Sequence, residues 1–212
     1  MYVPTHFEEN RPGELQRVLR EHPLGALITH GPSGLDANHI PFALDEATGP
    51  HGTLRAHVAR ANPLWREVPA DGADVLVIFQ ANEAYISPNW YPSKPEHHRH
   101  VPTWNYQVVH AHGRLRVRDE EAYLRGVLAR LTRENEQRSQ QARPWKMGDA
   151  PADYINERLK DIVGIEIQIT RLVGKSKLSQ NRDARDRLGA AEGVAGLGHA
   201  ETAEAMRGAG EA

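Results

Sequence analysis

Arg60 and Asn62 lie in the run His57-Val58-Ala59-Arg60-Ala61-Asn62-Pro63, where an expected strand gives way to a turn. A planar guanidinium, a side-chain amide and the backbone amides leaving a strand can together hold a phosphate. The plainer reading is an exposed loop with one solvated arginine. A second run, Lys175-Ser176-Lys177-Leu178-Ser179-Gln180-Asn181-Arg182, brings together two lysines, an arginine and two amides. Its cations would clamp an anion, while Gln180 and Asn181 would read the polar edge of a heterocycle. Most charge runs are instead a solvated face.

Between these runs lies the aromatic stretch Ala84–Gly113, with Tyr85, Trp90, Tyr91, Trp104 and Tyr106. Prolines 88, 92, 95 and 102 prevent it from being one regular element. A stiff aromatic loop between two strands can seat a planar ligand, or it can simply pack on the core. The same stretch holds His97, His98, His100, His110 and His112. His110 and His112 share a strand face at i, i+2, which can place two imidazoles on one ion. Glu96 is the one carboxylate near the loop histidines, and no helical zinc motif occurs, so no metal site is expected. Ser87 and Ser93 lack a nucleophile elbow, and no residue is assigned a catalytic role. Arg114, Arg116 and Arg118 alternate along a strand and project to one face. With Lys175–Arg187 they could touch phosphates of a nucleic acid, or they could be solvated or paired with acids. Neither segment resembles a helix-turn-helix.

The elements that must position these groups are mostly strands. Leu24–Thr29 and Leu35–Leu44 flank turn residues His30–Gly34 and read as a hairpin, with Pro41 marking an edge or bulge. Thr53–Val58, Asp74–Gln80 and Gln107–Val117 are further strands. In Val163–Thr170, Ile165, Ile167 and Ile169 alternate with polar residues, as in a half-buried antiparallel strand. Apolar residues at helical spacing predict helices over 11–21, over 119–137 with Asp119 or Glu120 as cap, and after Pro151. Six or seven strands with few helices predict a closed β-barrel with peripheral helices. Residues 1–188 form a single domain in this reading. The Gly/Ala-rich tail 189–212 has few apolar anchors and is expected to be mobile or weakly helical.

Composition narrows the function classes. The 212 residues are 39% hydrophobic and 25% charged, with a net charge of -2, which suits a soluble domain with a core and gives no global case for a nucleic-acid binder. There is no cysteine, so thiol catalysis, disulfides and thiolate metal sites are excluded. The first residues carry no basic region followed by an apolar run, and no apolar stretch approaches spanning length. A cytoplasmic location is the expectation.

Several runs taken together are similar to one known family. MYVPTHFEE opens the chain; ANHIPF, HVARANP, AYISPNWYPSK, VPTWNYQVVHAHG, PW, DAP, IVGIEIQIT and GKSKLSQNR follow in order. In this pattern the chain resembles the PaiB-like family of FMN-binding negative transcriptional regulators, from Met1 to about Leu188. It departs at Ser176, where a tryptophan is usual, at Asn82-Glu83, and in the loop filling PEHHRH. The resemblance implies a mainly β (α+β) fold, an antiparallel, Greek-key FMN-binding split β-barrel with peripheral helices. It implies a homodimer with FMN at the subunit interface. The phosphate would lie near Arg60 and Asn62, with Lys175 or Lys177. Asn38, His39, Ile40, Ala56 and His57 would line the isoalloxazine. Trp104, Asn105, Tyr106, Gln180 and Asn181 would come from the partner subunit. The implied role is repression of protease, sporulation or stationary-phase genes. DNA binding is allowed but no reader is visible in the sequence. The alternative is a flavin-dependent oxidoreductase akin to pyridoxamine-phosphate oxidases or haem-degrading barrels. A barrel that has lost its flavin and serves as an interaction module is the third reading.

Overall fold

The structure is a computed structural model and describes residues 1–32 and 34–209. Its elements in chain order are β1 (Glu8–Glu9), α1 (Pro12–Glu21), β2 (Leu24–Gly31), β3 (Gly34–Pro41), β4 (Ala43–Asp45), β5 (Thr53–Ala59), β6 (Ala73–Ile86), α2 (Lys94–His97), β7 (Thr103–Arg118), α3 (Glu121–Arg138), α4 (Ala152–Leu159), β8 (Ile162–Lys177), α5 (Ala184–Gly196) and α6 (Ala200–Gly208). The strands form one eight-stranded sheet in the order β3-β2-β6-β7-β8-β5-β4, with β1 on β8. That order is open at β3 and β4, so the closed barrel expected above is corrected to an open, split one. Pro41 ends the edge strand β3, where its missing N–H costs no ladder bond. No helix among the described residues is long and apolar enough to cross a membrane.

The chain divides into two compact units, and β6, β7 and β8 each contribute to both. One unit comprises His22–Phe79 and His110–Leu172. Here β2 and β3 form a hairpin whose register runs from Leu24 opposite Pro41 to Gly31 opposite Gly34. Gly34 takes φ 99°, which the tight turn requires and a Cβ would resist. β5 pairs antiparallel with β8, from Thr53 opposite Gln168 to Ala59 opposite Ile162. Ile165, Ile167 and Ile169 are fully buried, as their alternation predicts. Helix α3 packs Val127 and Leu131 on Ala43, and Tyr123 Oη donates to the Ile165 carbonyl at 2.7 Å. The N-cap of α3 is Glu120, whose side chain makes no cap bond. Asp119, the other expected cap, is engaged by Arg60 instead.

The other unit comprises Met1–Glu21, Gln80–Val109 and the residues from Val173 onward. Its β1 pairs with β8 at Glu8 opposite Lys175. In the tail, Ala184–Gly196 form α5 and Ala200–Gly208 form α6, and Gly210–Ala212 lie outside the described residues. Ala190, Ala191, Val194, Ala203 and Met206 are fully buried against Ile86, Tyr91 and Leu178. Two glycines of α5 allow close docking. A Cβ at Gly193 would overlap the Trp90 indole, and one at Gly189 would lie 2.6 Å from Pro92 Cδ. Small residues at i and i+4 give α5 a flat face on which Trp90 and Pro92 rest. Burial then supplies the stability that helix propensity does not.

Candidate functional site

The assigned residues fall into two groups, one in each unit. In the first, the end of β3 and the end of β5 form a cleft of about 290 Å³ lined by Asn38, His39, Ile40, His57, Val58 and Asn62, with Ile162 from the start of β8. Asn62 Nδ2 donates to Asn38 Oδ1 at 2.7 Å, and Asn62 Oδ1 accepts from Leu64 N at 2.9 Å. One amide thus closes the turn and ties two strands together. Period two in β5 sends His57 to the cleft face and Ala56 to the opposite face, where Ala56 is fully buried. Burial pushes the His57 pKa down, so its imidazole is neutral at pH 7. Its Nδ1 is buried and has no hydrogen-bond partner.

Arg60 stands at this end of β5 with four of its five N–H groups in use. Nη1 and Nη2 donate to the two carboxylate oxygens of Asp119 at 2.9 and 2.6 Å. Nε donates to the Lys160 carbonyl at 2.8 Å and Nη2 to the Ile162 carbonyl at 2.8 Å. The fork geometry that suits a phosphate here matches a carboxylate of the same chain. A phosphate would have to compete with Asp119 for it.

The second group lies on β7, β8 and the turn after β8. Asn105 is fully buried; its Nδ2 donates to Ser179 Oγ at 2.9 Å while its Oδ1 has no partner. Gln107 Nε2 donates to Ser176 Oγ at 3.1 Å. Ser176, where the resembling family carries a tryptophan, is therefore part of a buried polar pair. Gln180 folds back on its own turn: Oε1 accepts from Leu178 N at 2.7 Å and Nε2 donates to the Ser176 carbonyl at 2.6 Å. Both polar ends of the Gln180 amide are so occupied. Asn181 is exposed. Lys175 and Lys177 share a face of β8 at i, i+2. Lys175 Nζ sits 5.3 Å from the Tyr106 ring centre, and Lys177 Nζ donates to Thr103 Oγ1. Neither lysine is ion-paired with a described carboxylate. Burial lowers the Lys177 pKa. Trp104 is 52% exposed and meets Tyr85, 45% exposed, edge to face at 6.0 Å.

Several arginines of the basic segments are already engaged within the chain. Arg114 pairs with Asp71 and Asp74, and Arg118 with Glu120 and Glu166. Further along, Arg185 pairs with Glu96, and Arg187 is buried, donating to the Met206 and Arg207 carbonyls. Sequence reasoning missed the pairing of Asp119 with Arg60, the place of Ile162 at the cleft, and the role of His100. His100 is buried, with Nε2 2.9 Å from Ser93 Oγ, and Ser93 Oγ donates to Asp186 at 2.6 Å. No local signal marks any of these, because their partners lie 7 to 102 residues away in the chain.

An open antiparallel split barrel with a cleft at one strand end defines the class as a flavin-barrel protein. The chain belongs to the family described as "Putative FMN-binding domain", whose model matches residues 1–171. It is 34% identical over 230 residues to an uncharacterized protein of Emericella nidulans, covering 93% of this chain and 92% of that one. It is 30% identical over 192 residues to "Protease synthase and sporulation protein PAI 2" of Bacillus subtilis, covering 91% of this chain and 88% of that one. Among solved structures, a conserved hypothetical protein of Mycobacterium tuberculosis superposes with TM-score 0.57 at 12% identity, over 84% of this chain and 91% of that one. The FAD and heme binding protein of Mycobacterium smegmatis gives 0.53 at 16% identity, over 80% and 73%.

The residues present fit the family's cofactor. The cleft sets amide and imidazole groups (Asn38, Asn62, His39 and His57) beside apolar side chains (Ile40, Val58 and Ile162), a mixture that can meet both the polar edge and the faces of a planar ring. Its 290 Å³ is at the small end of ligand pockets, which begin at about 300 Å³. His57 Nδ1 is the orphaned polar atom beside it.

Proposed function

We propose that this protein is a cytoplasmic, homodimeric FMN-binding regulator of gene expression, with FMN shared between subunits. The likeness to the Bacillus subtilis protein along nearly the whole chain carries the regulatory reading. The small cleft supports a cofactor completed by a second chain. Exposed Trp104 and Tyr85 supply apolar surface for such a contact. Lys175 and Lys177, without carboxylate partners, are the better phosphate ligands in this reading, and Arg60 holds the fold beside the cleft. Because Arg114 and Arg118 are already paired, repression of protease or sporulation genes passes through a partner protein or through the flavin's redox state. Direct binding of promoter DNA is the competing route. The test is a thermal melt with added FMN, followed by titration with promoter DNA from 50 to 200 mM salt. The reading expects FMN to raise the melting temperature and DNA binding to be weak with a shallow salt slope. No FMN effect would sink the cofactor reading.

One observation favours a second reading, a flavin oxidoreductase. His57 is a neutral imidazole beside the cleft, able to hold or give a proton. Bound flavin would supply the hydride or electron chemistry. Rapid bleaching of the flavin by NADPH, with steady turnover in air, would favour the enzyme.

A further inference from the structure

Helix α3 carries two stripes. Leu124, Val127 and Leu131 face the core. Ala129, Thr132, Arg133 and Glu136, spaced i, i+3, i+4 and i+7, lie on another side and face the segment 144–147. Between them is a groove of about 380 Å³ whose lining includes Ala129, Pro144, Trp145 and Met147 and whose exposed surface is almost wholly apolar. Its size is within the range of small-molecule sites.

The groove is built rather than incidental. Trp145 N donates to Glu136 Oε2 at 2.9 Å, which fastens the segment to α3. Lys146 N donates to Asp149 Oδ2 at 3.0 Å, which closes the following turn. These contacts assign a local role to the PW and DAP runs of the sequence. The indole remains 43% exposed, a large apolar surface left uncovered. The charges around it are unequal. Arg133 and Lys146 are not ion-paired with any described residue, and the one acid of the groove, Glu136, is already bonded to the Trp145 N–H.

We propose that this groove binds a planar aromatic anion, its ring stacked on Trp145 and its charged group at the rim, within reach of the flexible, exposed side chains of Arg133 and Lys146 that border the groove. An apolar floor excludes a fully polar ligand, the flat indole selects a ring, and the two cations select a carboxylate or sulfonate. This site is separate from the flavin cleft in its residues and does not depend on the flavin reading.

The test is isothermal titration of the protein, without and with excess FMN, by 2-naphthoate, and by 2-naphthylmethanol as the uncharged comparison. Two variants accompany it: Ala129→Trp, which fills the groove, and Arg133→Glu, which reverses a charge. Both positions are exposed, and unchanged thermal melts would show that both variants fold. The proposal expects naphthoate to bind, the alcohol to bind at least about tenfold more weakly, and each variant to lose at least about tenfold in affinity. Naphthoate binding that survives Ala129→Trp, equal binding of the alcohol, or displacement of naphthoate by FMN would overturn it. A dimer that dissociates in Ala129→Trp would also overturn it, since a second copy would then cover the groove.

Discussion

Arg60 and Asp119 meet through two parallel hydrogen bonds of 2.9 and 2.6 Å, and the same guanidinium caps the carbonyls of Lys160 and Ile162. One side chain joins the end of β5 to the start of α3 and the start of β8. Both members of the ion pair are more than a third exposed, at 36% and 44%, so the pair itself adds little. The two carbonyls that would lose their donor matter more.

Arg60→Ala is expected to cost about 1 kcal/mol of stability without FMN, from lost hydrogen bonds discounted for exposure. Urea unfolding of the FMN-free protein measures it. FMN affinity should fall less in Arg60→Ala than in the double variant Lys175→Ala/Lys177→Ala. The reverse order, with FMN-free stability unchanged, would return the phosphate to Arg60.

Gly193→Ala should be destabilising although alanine is the better helix former. The added methyl runs into the Trp90 indole, and overpacking of this kind costs about 1–3 kcal/mol. Trp90→Ala in the same chain should restore part of the loss, because it removes the atoms in conflict. Hydrogen exchange along α5 reports it directly: faster exchange is expected in Gly193→Ala.

Burial depresses the pKa of His57, so the unfolded chain binds a proton there more readily than the folded one. Its contribution is fully present above the unfolded value of about 6.5 and is lost as pH falls from there toward the lower folded value. His110 and His112 are also lowered, chiefly by burial, and act in the same window. His57→Gln should remove one proton's share, up to about 1.4 kcal/mol per pH unit, from the acid slope of stability. An unchanged slope between pH 6.5 and 5 would contradict the assignment.

Asp186 has the same sign of pH dependence as His57, with a different cause and a lower pH window. Burial pushes its carboxyl up, but hydrogen bonds from Ser93 Oγ and N outweigh this and hold it below the ordinary value of 3.8. Its stabilisation is present above that value and is lost as pH falls through the lower folded pKa. Proteolysis of α5 should therefore accelerate below about pH 4 in the natural protein. In Asp186→Asn the cleavage rate should already be raised at pH 7 and should change less on acidification.

The sequence by itself determined the strands, the family and the ends of the cleft. Alternating Ile165, Ile167 and Ile169 need nothing beyond a pleated strand with one buried face. ANHIPF and HVARANP named both strand ends, because turn chemistry and residue order are local and are written in the chain. Tertiary structure decided what those residues do. Arg60 reads as a phosphate ligand, and only the fold shows that Asp119 and two carbonyls, 59 to 102 residues away, share its donors. Gln180 reads as a ligand amide until its own turn uses both ends. The tail reads as mobile or weakly helical because glycine and alanine carry little apolar surface; which segment such helices pack on is not written locally, and in the fold the small residues let Trp90 approach. Periodicity reports which face a side chain takes; a hydrogen-bond partner or a packing partner from a distant segment is set by the fold, and no local pattern encodes it.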